Sequence, residues 1–130
     1  MQVYILKESN SDSRVAASPD TVKKMIDWGL KVVIQDNAGL NSNFSNEDYV
    51  KSGATISNSI TDIGKSDLIL KINKPNDDEI ALMNEGSILI ASLDPYNNNE
   101  TLNKLKDKGV ISFAMELMPR ITRAQSMDIL

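Results

Sequence analysis

Several charged and amide side chains stand just beyond short apolar runs, where an α/β protein gathers groups for chemistry. Lys7-Glu8 and Arg14 follow Val3-Tyr4-Ile5-Leu6, and Lys71 with Asn73-Lys74 closes the run at 67–72. Ser92-Leu93-Asp94 follows 87–91, and a stretch containing Glu116 and Arg120 follows 110–114. In open parallel sheets, ligands lie beyond the carboxyl ends of the strands, so these are the positions able to meet one. Arg14, Lys71 and Arg120 on one edge would make a cationic, anion-binding rim on a chain of net charge −4. Taken singly, each of the three reads equally well as a solvated surface charge.

What is missing narrows the chemistry. The chain has no cysteine and no histidine. That excludes disulfides, thiolate metal sites and cysteine nucleophiles, together with the usual acid–base residue near neutral pH. Neither G-x-G-x-x-G nor G-x-x-x-x-G-K-[ST] occurs, so the chain by itself lacks a phosphate-binding turn. The acidic balance argues against nucleic acid. A receiver-type signalling domain needs an acidic pair after its first strand, where Lys7-Glu8 stands here. No run reaches membrane-spanning length, and MQVYILKES is too short in its apolar part for a signal peptide. A soluble cytoplasmic piece without direct membrane insertion is expected.

The elements that must position these groups alternate. Val3-Tyr4-Ile5-Leu6, Lys31-Val32-Val33-Ile34-Gln35, and the runs at 67–72, 87–91 and 110–114 read as strands covered on both faces. Ala54-Thr55-Ile56 is a weaker, short extra strand. Between them lie helices. Ser18-Pro19 supplies an N-cap and a proline at the first helical position, followed by an inward stripe of Val22, Met25 and Ile26 and a terminating Gly29. Ser45 caps a short helix through Tyr49 and Val50. Asn76 with Glu79, and Asn97 with Glu100, have capping-box spacing; Leu102 and Leu105 face inward from the latter helix. The six glycines fall mostly at helix ends. Thr122-Arg123-Ala124-Gln125 is a further capping box, opening a helix that has barely begun at Leu130. The pattern predicts an α/β three-layer sandwich around a flavodoxin-like parallel sheet of about five strands, incomplete at its C-terminal helix. From the residues alone the reading ends there: an α/β domain with an anion-binding edge.

Three stretches carry a resemblance. They are Lys7-Glu8 with Arg14-Val15-Ala16-Ala17-Ser18-Pro19, the run Asp67-Leu68-Ile69-Leu70-Lys71-Ile72-Asn73-Lys74-Pro75, and Met118-Pro119-Arg120-Ile121-Thr122-Arg123-Ala124-Gln125-Ser126-Met127-Asp128. In order and spacing the chain resembles the shared N-terminal domain of alanine dehydrogenases and of the alpha subunit, the NAD(H)-binding component, of proton-translocating NAD(P) transhydrogenases. The resemblance covers residues 1–130 and implies that a Rossmann domain follows in the family. The third stretch looks like the transhydrogenase loop that approaches the nicotinamide. It implies that Arg120, Gln125 and Asp128 are the catalytic and NAD(H)-contacting residues. An amide or guanidinium can pair with the carboxamide of the ring, and a carboxylate can accept from ribose hydroxyls. From the residues alone, Gln125 is equally the third residue of a capping box and Asp128 a first-turn acid favoured by the helix dipole.

Two activities compete within that family. In alanine dehydrogenases a histidine follows the fourth strand, and imine formation requires proton transfer. Here Asp94 stands in its place, within Ser92-Leu93-Asp94-Pro95. Hydride transfer between nicotinamides moves no proton at the reacting carbons. The resemblance therefore implies a transhydrogenase piece, inactive alone, with NADP(H) bound by a partner component. It also implies a membrane component that conducts protons, a homodimer of the full NAD(H) component, and a place on the cytoplasmic face of the inner membrane. Arg14 and Lys71 match positions that hold the substrate carboxylate in alanine dehydrogenases; here organising the cleft is the favoured role. The alternatives are a non-catalytic binding or assembly domain, and an alanine dehydrogenase-like domain lacking its histidine.

Overall fold

The computed structural model describes residues 1–9, 11–95 and 97–117. Six parallel strands form one sheet: β1 (Gln2–Ile5), β2 (Lys31–Gln35), β3 (Thr55–Ser57), β4 (Leu68–Leu70), β5 (Ile88–Ala91) and β6 (Ile111–Ala114). Their order is β3-β2-β1-β4-β5-β6. The strand beyond the five main runs is β3, which the weak run at 54–56 signals one residue early. Three residues suffice because Val33, Ile34 and Gln35 of β2 set its register. Without it the order β2-β1-β4-β5-β6 is that of a flavodoxin-like sheet of five strands.

Among the described residues four helices cover the two faces: α1 (Pro19–Asp27), α2 (Asn46–Lys51), α3 (Asp77–Leu82) and α4 (Asn99–Asp107). Alternation along the strands divides the core. Val3, Ile5, Val32 and Ile34 pack with Val22 and Met25 of α1 and Tyr49 of α2. Ile26 is half-buried against this cluster. Tyr4, Val33, Ile69 and Leu89 pack on the other side with Ile80 of α3 and Leu105 of α4, with Leu102 at the margin. At the far edge β6 is covered on one face only among the described residues, and Ile111 and Phe113 are about half exposed.

Local signals set most helix boundaries. The Ser18 side chain accepts from the Thr21 backbone, and Pro19 opens α1. Gly29 ends it with φ +91°, where a Cβ would be strained. The capping boxes at Ser45 and Asn76 both form, with Asp48 and Glu79 as the reciprocal partners. The Asn97–Glu100 box does not. Helix α4 begins at Asn99 after Asn98, which makes no side-chain cap. The Asn98 Oδ1 that could cap instead accepts from Lys74 Nζ at 3.1 Å, and Asn97 donates to the Asp94 carboxylate. Glu100 pairs with Lys104 at 3.3 Å. One tertiary contact and two local ones take the side chains that would have capped the helix. The capping box at Thr122–Gln125 and the helix it opens lie outside the described residues.

Candidate functional site

The winding direction reverses between β1 and β4, because α1 leaves on one face and α3 on the other. The loops after these two strands therefore part, and the gap at the carboxyl edge is the usual ligand crevice of such folds. It forms a cleft of about 830 Å³, lined by residues that include Lys7, Glu8, Asp12, Lys71, Asn73 and Lys74.

The groups at the base of this cleft form a hydrogen-bonded chain in which a neutral amide joins two ion pairs. Glu8 and Lys71 are almost fully buried, 4% and 6% exposed, and pair at 3.1 Å. Glu8 also accepts from the backbone N–H of Ile72 at 2.9 Å and of Asn73 at 3.0 Å. This explains how a carboxylate tolerates burial: a cation and converging amides replace its water. The Asn73 amide bridges outward, donating to Glu8 at 3.1 Å and to Asp12 at 2.7 Å. Arg14 then grips Asp12 with two side-chain nitrogens, at 3.0 and 2.8 Å. Beside the chain, Glu79 closes the α3 capping box, and burial raises its pKa despite the bonded Asn76 amide and the nearby Lys71 charge.

Arg14 and Lys71 are thus brought to one end of the sheet, as expected, but not as a cationic rim. Lys71 is neutralised inside the protein by Glu8. Arg14, its side chain 61% exposed, is committed to Asp12. Arg120, the third member of the expected rim, and the nicotinamide candidates Gln125 and Asp128 lie outside the described residues. Sequence places Glu8 at the exit of β1 without pairing it with Lys71 and passes over Asp12, since neither residue type nor position names a partner. The Asp12–Arg14 spacing was a usable signal, because a loop aspartate readily bonds the amide two residues on. That bond is present at 2.9 Å.

The Arg14 side-chain bond is the main reason the Asp12 carboxyl is held well below the usual carboxylate range; the Arg14 backbone and Asn73 add to it. A depressed folded-state pKa contributes stability that is present above the unfolded value near 4 and lost as pH falls through the folded value. Acid unfolding should therefore steepen below about pH 4, and Asp12→Asn should flatten that limb. Because the pair is solvent-accessible, 1 M salt should shrink the difference between the two proteins. Identical acid limbs for parent and variant would show that Arg14 does not hold this carboxyl in solution.

The other strand exits are also tied. After β5, Asp94 takes φ +44°, an uncommon left-handed conformation for a residue with a side chain. Its carboxylate accepts from Asn97, while the Asn98 amide donates to the carbonyl of Leu93 at 2.9 Å. Glu116, in the short turn Met115–Leu117 after β6, reaches back to this loop. Its two oxygens accept the backbone N–H of Leu93 at 3.1 Å and of Asp94 at 2.6 Å. Burial works against the charge, but the backbone N–H of Glu116 itself, with those of Asp94 and Leu93, outweighs it and the Glu116 pKa falls.

Comparison with known proteins places this geometry in a family. Residues 4–130 match the model of the alanine dehydrogenase/PNT N-terminal domain. The NAD(P) transhydrogenase subunit alpha of Haemophilus influenzae is 39% identical over 120 residues, 92% of this chain and 23% of that protein. Alanine dehydrogenase 1 of Staphylococcus aureus is 31% identical, across 96% of this chain and 34% of that protein. The crystal structure of transhydrogenase from Sinorhizobium meliloti superposes with a TM-score of 0.91 at 43% identity, covering 98% of this chain and 39% of that one. The chain thus spans well under half the length of the relatives it matches. With two residue clusters around a doubly wound sheet, a cleft at its switch point and a family match over nearly its whole length, the chain belongs to the alanine dehydrogenase/PNT N-terminal domain family.

Proposed function

We propose that this chain is the N-terminal part of the NAD(H)-binding component of a proton-translocating NAD(P) transhydrogenase, which transfers hydride between NADH and NADP+. The observation that carries the reading is the gradient of similarity: 39% and 43% identity to transhydrogenases against 31% to an alanine dehydrogenase. The residues agree with it. Asp94 stands where the alanine dehydrogenases carry histidine, and no histidine occurs anywhere in the chain.

The described residues suit one wall of an NAD(H) cleft rather than a full site. The loop after β1 ends on Ser18, whose side chain already satisfies the first turn of α1, and Pro19 removes an amide there. Nothing in that turn is built to receive a pyrophosphate. That task falls to the Rossmann domain expected in the longer protein. A bound nicotinamide supplies the hydride chemistry. Arg120, Gln125 and Asp128 orient the ring, and Arg14 and Lys71 organise the cleft without taking a carboxylate substrate. Partners of the longer protein are an NADP(H)-binding component, a proton-conducting membrane component and a second copy of itself, at the cytoplasmic face of the inner membrane. Among the described residues no helix is long and apolar enough to cross a membrane.

The test is the longer protein assembled with its NADP(H)-binding partner. NADH-dependent reduction of an NADP+ analogue is expected, without alanine-dependent reduction of NAD+. The reverse result would make the chain an alanine dehydrogenase piece. The 130 residues alone should bind NADH no more tightly than about 1 mM, an affinity of only about 4 kcal/mol. Micromolar binding in a fluorescence titration of the isolated chain would show that it holds the pyrophosphate after all.

A further inference from the structure

We propose that Glu116 is a positioning residue for hydride transfer, clamping the exit of β6 to the loop after β5. The inference rests on the transhydrogenase reading and adds to it a residue that touches no cofactor. Glu116 stands four positions before Arg120 in the sequence, immediately ahead of the stretch that carries Arg120, Gln125 and Asp128.

The geometry of the clamp is specific. Both carboxylate oxygens are in use, one on the Leu93 amide at 3.1 Å and the other on the Asp94 amide at 2.6 Å. Bonds from amides to an ionised acceptor are stronger than neutral ones, and two of them fix direction as well as distance. Their target is a loop that needs fixing. Asp94 is held at φ +44°, and the loop is anchored from its other side by Asn98, which the Lys74 ammonium joins to the β4 loop. Glu116 thereby extends to β6 the cross-bracing that joins the β4 and β5 loops. Met115, beside it, is buried at 3% exposure and seats the turn in the domain. Glu116 itself is exposed, so its role is not to fill the core.

Positioning of this kind shows in the reaction more than in binding, because small displacements of orienting groups affect the aligned state most. The test uses the longer protein assembled with its NADP(H)-binding partner. Glu116→Ala should slow single-turnover hydride transfer at least tenfold, while the Kd for NADH changes less than threefold. In the same protein, amide hydrogen exchange at Leu93 and Asp94 should quicken by about tenfold or more. Glu116→Gln keeps one acceptor oxygen but turns an amide NH2, itself a donor, toward the second N–H. It should recover part of the rate and guards against a folding failure of the alanine variant. A hydride rate within twofold of the parent, or unchanged exchange at Leu93 and Asp94, would overturn the proposal. A parent protein that transfers no hydride to an NADP+ analogue is a different failure: it removes the transhydrogenase reading, and with it the role given to Glu116.

Discussion

Replacing Gln125 by Asn in the complete enzyme is expected to lower the hydride-transfer rate by about ten- to a thousandfold, about 1.4 to 4 kcal/mol in the barrier. The shorter side chain withdraws its amide by one methylene from the ring it is proposed to orient. NADH affinity should change far less, because on the proposed reading the Rossmann domain expected in the longer protein holds the adenosine and pyrophosphate, and little ground-state binding would be lost. If Gln125 is only the third residue of a capping box, the pattern inverts. Stability then falls by about 1 kcal/mol or less while the hydride step stays normal. Stopped-flow transfer and thermal melting on the same variant separate these outcomes. A normal rate with a lowered Tm would remove Gln125 from the site.

The second large effect is expected at Glu8. Glu8→Ala strands a buried ammonium and leaves the Ile72 and Asn73 amides without their acceptor. Removing one partner of a buried pair costs about 3–5 kcal/mol, because the other charge stays behind uncompensated. For a domain of this size that is a fall in Tm on the order of 10 °C. The double variant Glu8→Leu with Lys71→Met removes both charges together and should be the more stable of the two, although the amides remain orphaned. Urea unfolding of the parent and both variants provides the measurement. A loss below about 1 kcal/mol for Glu8→Ala would mean that Lys71 reaches water on its own and that the base of the cleft is not closed by the pair.

These two residues also mark how far the sequence could be read. The strand at Lys31–Gln35 and the start of α1 at Ser18-Pro19 match expectation residue for residue, because a solid β-branched run and an N-cap with proline depend on local physics. β3 was faint, since a three-residue edge strand draws its register from β2 rather than from its own pattern. The Asn97–Glu100 box failed because the helix begins at Asn99, with Asn97 and Glu100 in other local contacts. Lys74, 24 positions away from Asn98, holds the oxygen of the residue now at the cap. At the site, sequence located the carboxyl-edge residues but not their pairing. The Asp12–Arg14 contact is local and could have been foreseen. Glu8 and Lys71 lie 63 positions apart, and no spacing rule connects them before β1 and β4 are known to be neighbours. Arg120, Gln125 and Asp128 owe their roles to family resemblance alone.

That neighbourhood of β1 and β4 also governs how the chain is made. β1 emerges first and gains β2 on one side, but its other edge waits for Leu68–Leu70, with Gln2 and Asp67 65 positions apart. At translation rates of about 5–20 residues per second, that gap lasts roughly 3 to 13 s. Throughout it, Val3, Tyr4 and Ile5 present unpaired backbone beside side chains that end fully buried. A nascent chain at this stage exposes the kind of apolar strand edge that adds to its neighbours on a polysome. The most vulnerable moment in the life of this domain falls before β4 has been synthesised, and chaperone capture during synthesis should concentrate on chains arrested between β2 and β4.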